Sequence, residues 1–77
     1  MITLRKFIRV AFFSHESAVV ALHAANSRFN DRCNAQNFNR VEGNTVLFEK
    51  CGDPFTDGLV KNFLLSQEHA LPDGCSV

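Results

Sequence analysis

The chain reads as an α+β domain: a single small two-layer sandwich of order β-α-β-β-α, with a three-stranded sheet and two helices on one face. Three observations predict it. Residues 14–34 keep one helical period, residues 2–13 alternate as a strand does, and Gly43-Asn44 lies between two apolar runs where a two-residue hairpin turn belongs. Seventy-seven residues, 45% of them hydrophobic, are enough for one domain, and the eight Phe fill a core without a buried hydroxyl or indole to satisfy. The domain takes in residues 1–77, with about 72–77 a frayed tail.

The first element is the least determined. Ile2, Leu4, Ile8, Val10 and Phe12 alternate as one face of a strand, with Lys6 the single violation; Leu4, Phe7, Ile8, Ala11 and Phe12 also satisfy a helical spacing. The β-branched Ile2, Thr3, Ile8 and Val10 favour the strand.

Ser14 is the natural N-cap of the first helix, accepting from the N–H of Glu16 or Ser17, and Glu16 suits the positive helix end. Ala18, Leu22, Ala25 and Phe29 form its inward stripe, while Glu16, Ser27 and Asp31 face water. Asn30 to Asn34 should end it, because short amides compete for backbone hydrogen bonds.

A turn centred on Gly43-Asn44 sets Val41 opposite Val46, Arg40 opposite Leu47 and Asn39 opposite Phe48. Val41, Val46 and Phe48 are assigned to the core. Phe38 and Leu47 fall on the other face, either as an exposed patch or as a second buried one. The first two strands run parallel across the first helix, by a right-handed crossover. Cys51-Gly52 ends the third strand, and Asp53-Pro54 reads as an N-cap with proline at the first helical position. The second helix is expected to run to about His69. Phe55, Leu59, Val60 and Phe63 face inward, Leu64 lies at the flank, Leu65 points outward, and Asp57 pairs with Lys61.

Charge is balanced overall but not along the chain. Residues 1–40 hold six basic and two acidic side chains, a net of +4; residues 41–77 hold two basic and six acidic, a net of −4. Such polarity steers encounters and sets orientation. Cys33, Cys51 and Cys75 are odd in number, at least 18 positions apart and preceded by no secretory signal, since Arg5, Lys6 and Arg9 interrupt the apolar N-terminus. Free thiols in a reducing cytoplasm are the expectation, with no membrane span.

No close Cys or His pairing supplies a metal site, no glycine motif cradles a phosphate, and no nucleophile sits beside a base in a recognisable pattern. The expectation is therefore a non-enzyme with no cofactor. Val20, Phe38, Leu47, Leu64 and Leu65 are too apolar for the faces assigned to them, which marks them as a partner-binding surface. An edge strand beside them would allow a homodimer. The reading is a non-catalytic protein-binding module that acts by steric blocking, as an inhibitor or adaptor of a phage or mobile element does. The alternative is a nucleic-acid binder using Arg5, Lys6, Arg9, Arg28, Arg32 and Arg40, with Asn37, Asn39 and Phe38 contributing base contacts. A thiol or metal site at Cys33 or Cys51 with a histidine is a lesser one.

Overall fold

A computed structural model describes residues 6–31 and 38–71. Its elements are β1 (Phe7–Ala11), α1 (His15–Arg28), β2 (Arg40–Glu42), β3 (Thr45–Glu49) and α2 (Pro54–Leu65). They form one small α+β domain in the expected order.

The sheet order is β1-β3-β2, with both neighbouring pairs antiparallel. β1 and β2 therefore run parallel without pairing to each other, because β3 lies between them. The side chains explain this. Val46, Leu47 and Phe48 of β3 are buried in succession, which requires cover on both sheet faces and suits a central strand. β2 offers only Arg40, Val41 and Glu42, two of them charged, and is fit for an edge.

The turn reading holds in register: Arg40 faces Leu47 and Val41 faces Val46. Gly43 takes φ 64°, and it alone of the two central turn residues has a positive φ, as a II′ hairpin turn requires. Asn44 binds the end of β1 twice, its carbonyl accepting from Phe12 N–H (2.7 Å) and its Nδ2 donating to the Phe12 carbonyl (2.6 Å). The ladder stops at Arg40 because the Asn39 side chain replaces backbone beyond it. Asn39 Oδ1 accepts from Glu49 N–H (2.9 Å), and its Nδ2 donates to Asn26 Oδ1 on α1 (2.8 Å).

Ser14 caps α1 as expected, its Oγ accepting from Ser17 N–H at 3.1 Å. His15 Nδ1 donates to the Gly43 carbonyl (2.5 Å), fixing the start of α1 against the hairpin turn. Ala18, Ala21 and Ala25 are buried and Leu22 is half-buried, so α1 lies against the sheet on its smallest side chains. Phe29, at the C-cap, meets Phe48 and Phe63 edge-on, with ring centroids 6.5 and 5.6 Å away.

Asp53 caps α2 and Pro54 opens it, as read from the sequence. The helix then departs from expectation in three ways. Its buried positions are Thr56, Val60 and Leu64, whereas Phe55, expected inside, is 68% exposed. Asp57 does not pair with Lys61; its carboxylate accepts from Cys51 N–H (3.0 Å) and from the Cys51 thiol (3.5 Å), tying the helix to the end of β3. The helix stops at Leu65, four residues short of His69. Ser66–His69 turn back, with His69 at φ 71°, so that Ala70 bridges Phe12. Phe13 N–H donates to the His69 carbonyl and Leu71 N–H to the Ala11 carbonyl, both at 2.9 Å. A single bridge thus stands just past the end of β1.

One core joins the layers: Ile8, Val10 and Phe12 of the β1 side, Val46 and Phe48 of β3, the alanines of α1, and Val60 with Leu64 of α2. Both helices lie on this face. The opposite face carries Phe7, Arg9, Leu47, Glu49, Arg40 and Glu42, with no described helix over it.

Candidate docking groove between the two helices

The burial of α2 through Thr56, Val60 and Leu64 rotates the next row of the helix outward. Phe55, Leu59, Asn62, Phe63 and Ser66 line a groove of 780 Å³, closed on its other side by Arg28 and Phe29 at the end of α1. Thr56 is buried in this phase with its hydroxyl satisfied, Oγ1 donating to Asp53 Oδ2 at 2.7 Å, and position 55 points about 100° away from it. Leu59 and Phe63 are half-buried and rest on the core, so the groove has an apolar floor. The Arg28 guanidinium lies over the Phe63 ring, 5.6 Å from its centroid. No described carboxylate forms an ion pair with Arg28; the ion pairs among the described residues are Arg40–Glu42 and His69–Glu68.

The expected partner-binding residues do not share a surface. Leu64 is fully buried in the core, because α2 presents it to the sheet together with Val60. Leu47 is 3% exposed, since it lies in the central strand and is flanked in register by the long side chains of Arg9 and Arg40. Of the two readings of that face, burial is the correct one for Leu47. Leu65 is half-buried against the core. Val20 and Phe38 are exposed, but Val20 lies on α1 near Glu16, Gln67, Glu68 and His69, whereas Phe38 precedes β2. Sequence reasoning missed Phe55 and also Phe13, which is 75% exposed with its ring stacked on His69 at 6.1 Å. No local signal sets Phe55 outside, because its spacing to Leu59 and Phe63 suits either face of the helix.

The basic residues are also dispersed. Arg5 and Arg32 lie outside the described residues, as do Asn37 and Cys33. Arg9 and Arg40 share the sheet face that no described helix covers, across Leu47. Arg40 is paired with Glu42 (2.8 Å) and lies over the Phe7 ring at 5.3 Å. Lys6 is exposed at the start of β1, while Arg28 belongs to the helical layer, so the four described residues do not form one continuous basic face.

Among the described residues no group of three or more His, Cys, Asp or Glu is gathered as metal ligands would be. Cys51 precedes α2 and His69 follows it, so a twelve-residue helix of about 18 Å separates them. No described helix is long and apolar enough to cross a membrane. Comparison of the chain with protein-family models, with curated proteins and with solved structures finds no match.

Proposed function

We propose that this chain is a non-catalytic docking module that binds a protein partner through the groove between α1 and α2. The observation that carries the reading is Phe55. Covering a Phe side chain is worth about 1.5–3 kcal/mol, and Phe55 forgoes it at 68% exposure. A single exposed apolar residue is ordinary, but Phe55 continues into Leu59 and Phe63 along a concave surface, which is where a partner anchors. Occupying a partner's surface requires no chemistry from the chain itself, as in a steric inhibitor or adaptor. The free thiol of Cys51 suits a reducing compartment such as the cytoplasm.

The test is affinity capture from a lysate of the organism that encodes the chain, with and without nuclease, using the wild type and Phe55→Asp. A protein that survives nuclease and is lost with Phe55→Asp supports the groove. Capture indifferent to Phe55→Asp refutes it.

A second reading rests on the sheet face that no described helix covers, where Arg9, Arg40 and the Phe7 ring lie together. Such a platform suits single-stranded nucleic acid, with stacking on the ring and phosphate at the guanidinium groups. Recovery of nuclease-sensitive material alone, lost with Arg9→Glu and weakened about tenfold or more by raised salt, would favour it.

A further inference from the structure

The chemistry of the groove specifies its occupant more narrowly. Resting on the docking reading, we infer that it takes a short amphipathic helical segment whose apolar side chains cover Phe55 and Leu59 and whose carboxylate meets Arg28. The charge follows from the lining, which among the described residues holds one cation and no carboxylate. Arg28 is held over Phe63 without an anionic partner among the described residues, and a guanidinium in that position offers a carboxylate charge-assisted hydrogen bonds beside an apolar floor.

The size follows from the helix. From Phe55 to Ser66 the groove runs about 16 Å along α2, or three turns. Seven of the described residues line it, against roughly 20–30 on each side of a standard interface between folded proteins, so a single segment fits it better than a second copy of the chain. All its described lining residues belong to the two helices or their ends and none to a strand, so it offers no sheet edge to an extended peptide. A helical ligand arrives with its own backbone satisfied. Phe63, under Arg28, lies one turn from Leu59 and two from Phe55, about 6 and 12 Å. The carboxylate should therefore stand about four and eight residues from the two apolar anchors of the ligand.

Displayed random peptides of about 16 residues, long enough for three turns and flanks, should be selected on the folded chain and counter-selected on Phe55→Asp. The expected winners carry Asp or Glu at that spacing from an apolar pair. They bind the wild type about ten- to a hundredfold more tightly than their Lys counterparts, the range of one charge-assisted hydrogen bond. Arg28→Glu reverses the preference. Both altered side chains are exposed, and circular dichroism checks that each variant is folded. Winners that need Phe55 but ignore ligand charge, with no reversal by Arg28→Glu, would overturn the acidic segment and leave the docking groove standing. Winners that bind Phe55→Asp equally would overturn both.

Discussion

The two helices cover the same sheet face with opposite means. α1 buries three alanines, half-buries Leu22 and leaves Val20 exposed, so small side chains make its inward stripe. α2 carries Phe55, Leu59, Val60, Phe63, Leu64 and Leu65 in twelve residues, enough apolar surface to cover a core in more than one rotation. The cap bond between Thr56 and Asp53 fits the rotation with Val60 and Leu64 inside. Apolar periodicity fixes the phase of a helix when apolar residues are scarce. When they are abundant, periodicity alone does not fix it, and the surplus apolar side chain becomes surface.

The comparison breaks first at Leu64. If α2 is phased as described, Leu64→Ala removes a fully buried side chain and costs about 3 kcal/mol, read as a lower urea midpoint. A loss under about 0.5 kcal/mol, the surface-site range, would return Leu64 to the flank of the helix. On α1 the matching change is an addition. Ala25 is fully buried against the sheet, and Ala25→Leu should destabilise by about 1–3 kcal/mol through overpacking, although leucine is as good a helix former. The caps come next. Asp53→Ala removes an N-cap and also the acceptor of the buried Thr56 hydroxyl, so a cost of about 2 kcal/mol is expected, part of it recovered by adding Thr56→Val. Ser14→Ala removes an exposed cap and should cost about 1 kcal/mol. Equal costs at the two caps would mean that the buried Thr56 hydroxyl gains nothing from Asp53.

This sequence made most of the fold legible where one local rule acted alone. The Gly43-Asn44 turn set the hairpin register without reference to anything distant, and Ser14 and Asp53-Pro54 marked both helix starts. The insertion of β3 between β1 and β2 was not legible from spacing. It was implied by Val46, Leu47 and Phe48 in succession, a run that only a central strand can bury. Periodicity counted from Phe55, the largest apolar residue in the first turn, places Leu64 at the flank of the helix, whereas the structure buries it in the core. The candidate groove was hidden by the same choice: a reading that puts Phe55 inside closes it. The dispersal of Arg9, Arg28 and Arg40 over two layers follows from topology, which a count of charges along the chain does not contain.

Phe55 gives the smallest stability effect and the sharpest separation of the two roles an aromatic side chain can have. A core phenylalanine costs about 3–5 kcal/mol when cut to alanine, because it leaves a cavity. Phe55 is 68% exposed and its backbone N–H is held by Asp53 whatever side chain it bears, so Phe55→Ala should move the urea midpoint by less than about 0.5 kcal/mol equivalent. Phe63, one face of the same groove, is half-buried and meets Phe29 edge-on, so Phe63→Ala should cost clearly more. The ordering Phe55 below Phe63 below Leu64 is a gradient across α2 from solvent to core, and it fixes the rotation of the helix without any partner in hand. If Phe55→Ala instead destabilises as much as Leu64→Ala, the helix is turned toward the simpler periodic reading, Phe55 belongs to the core, and the groove between the helices does not exist.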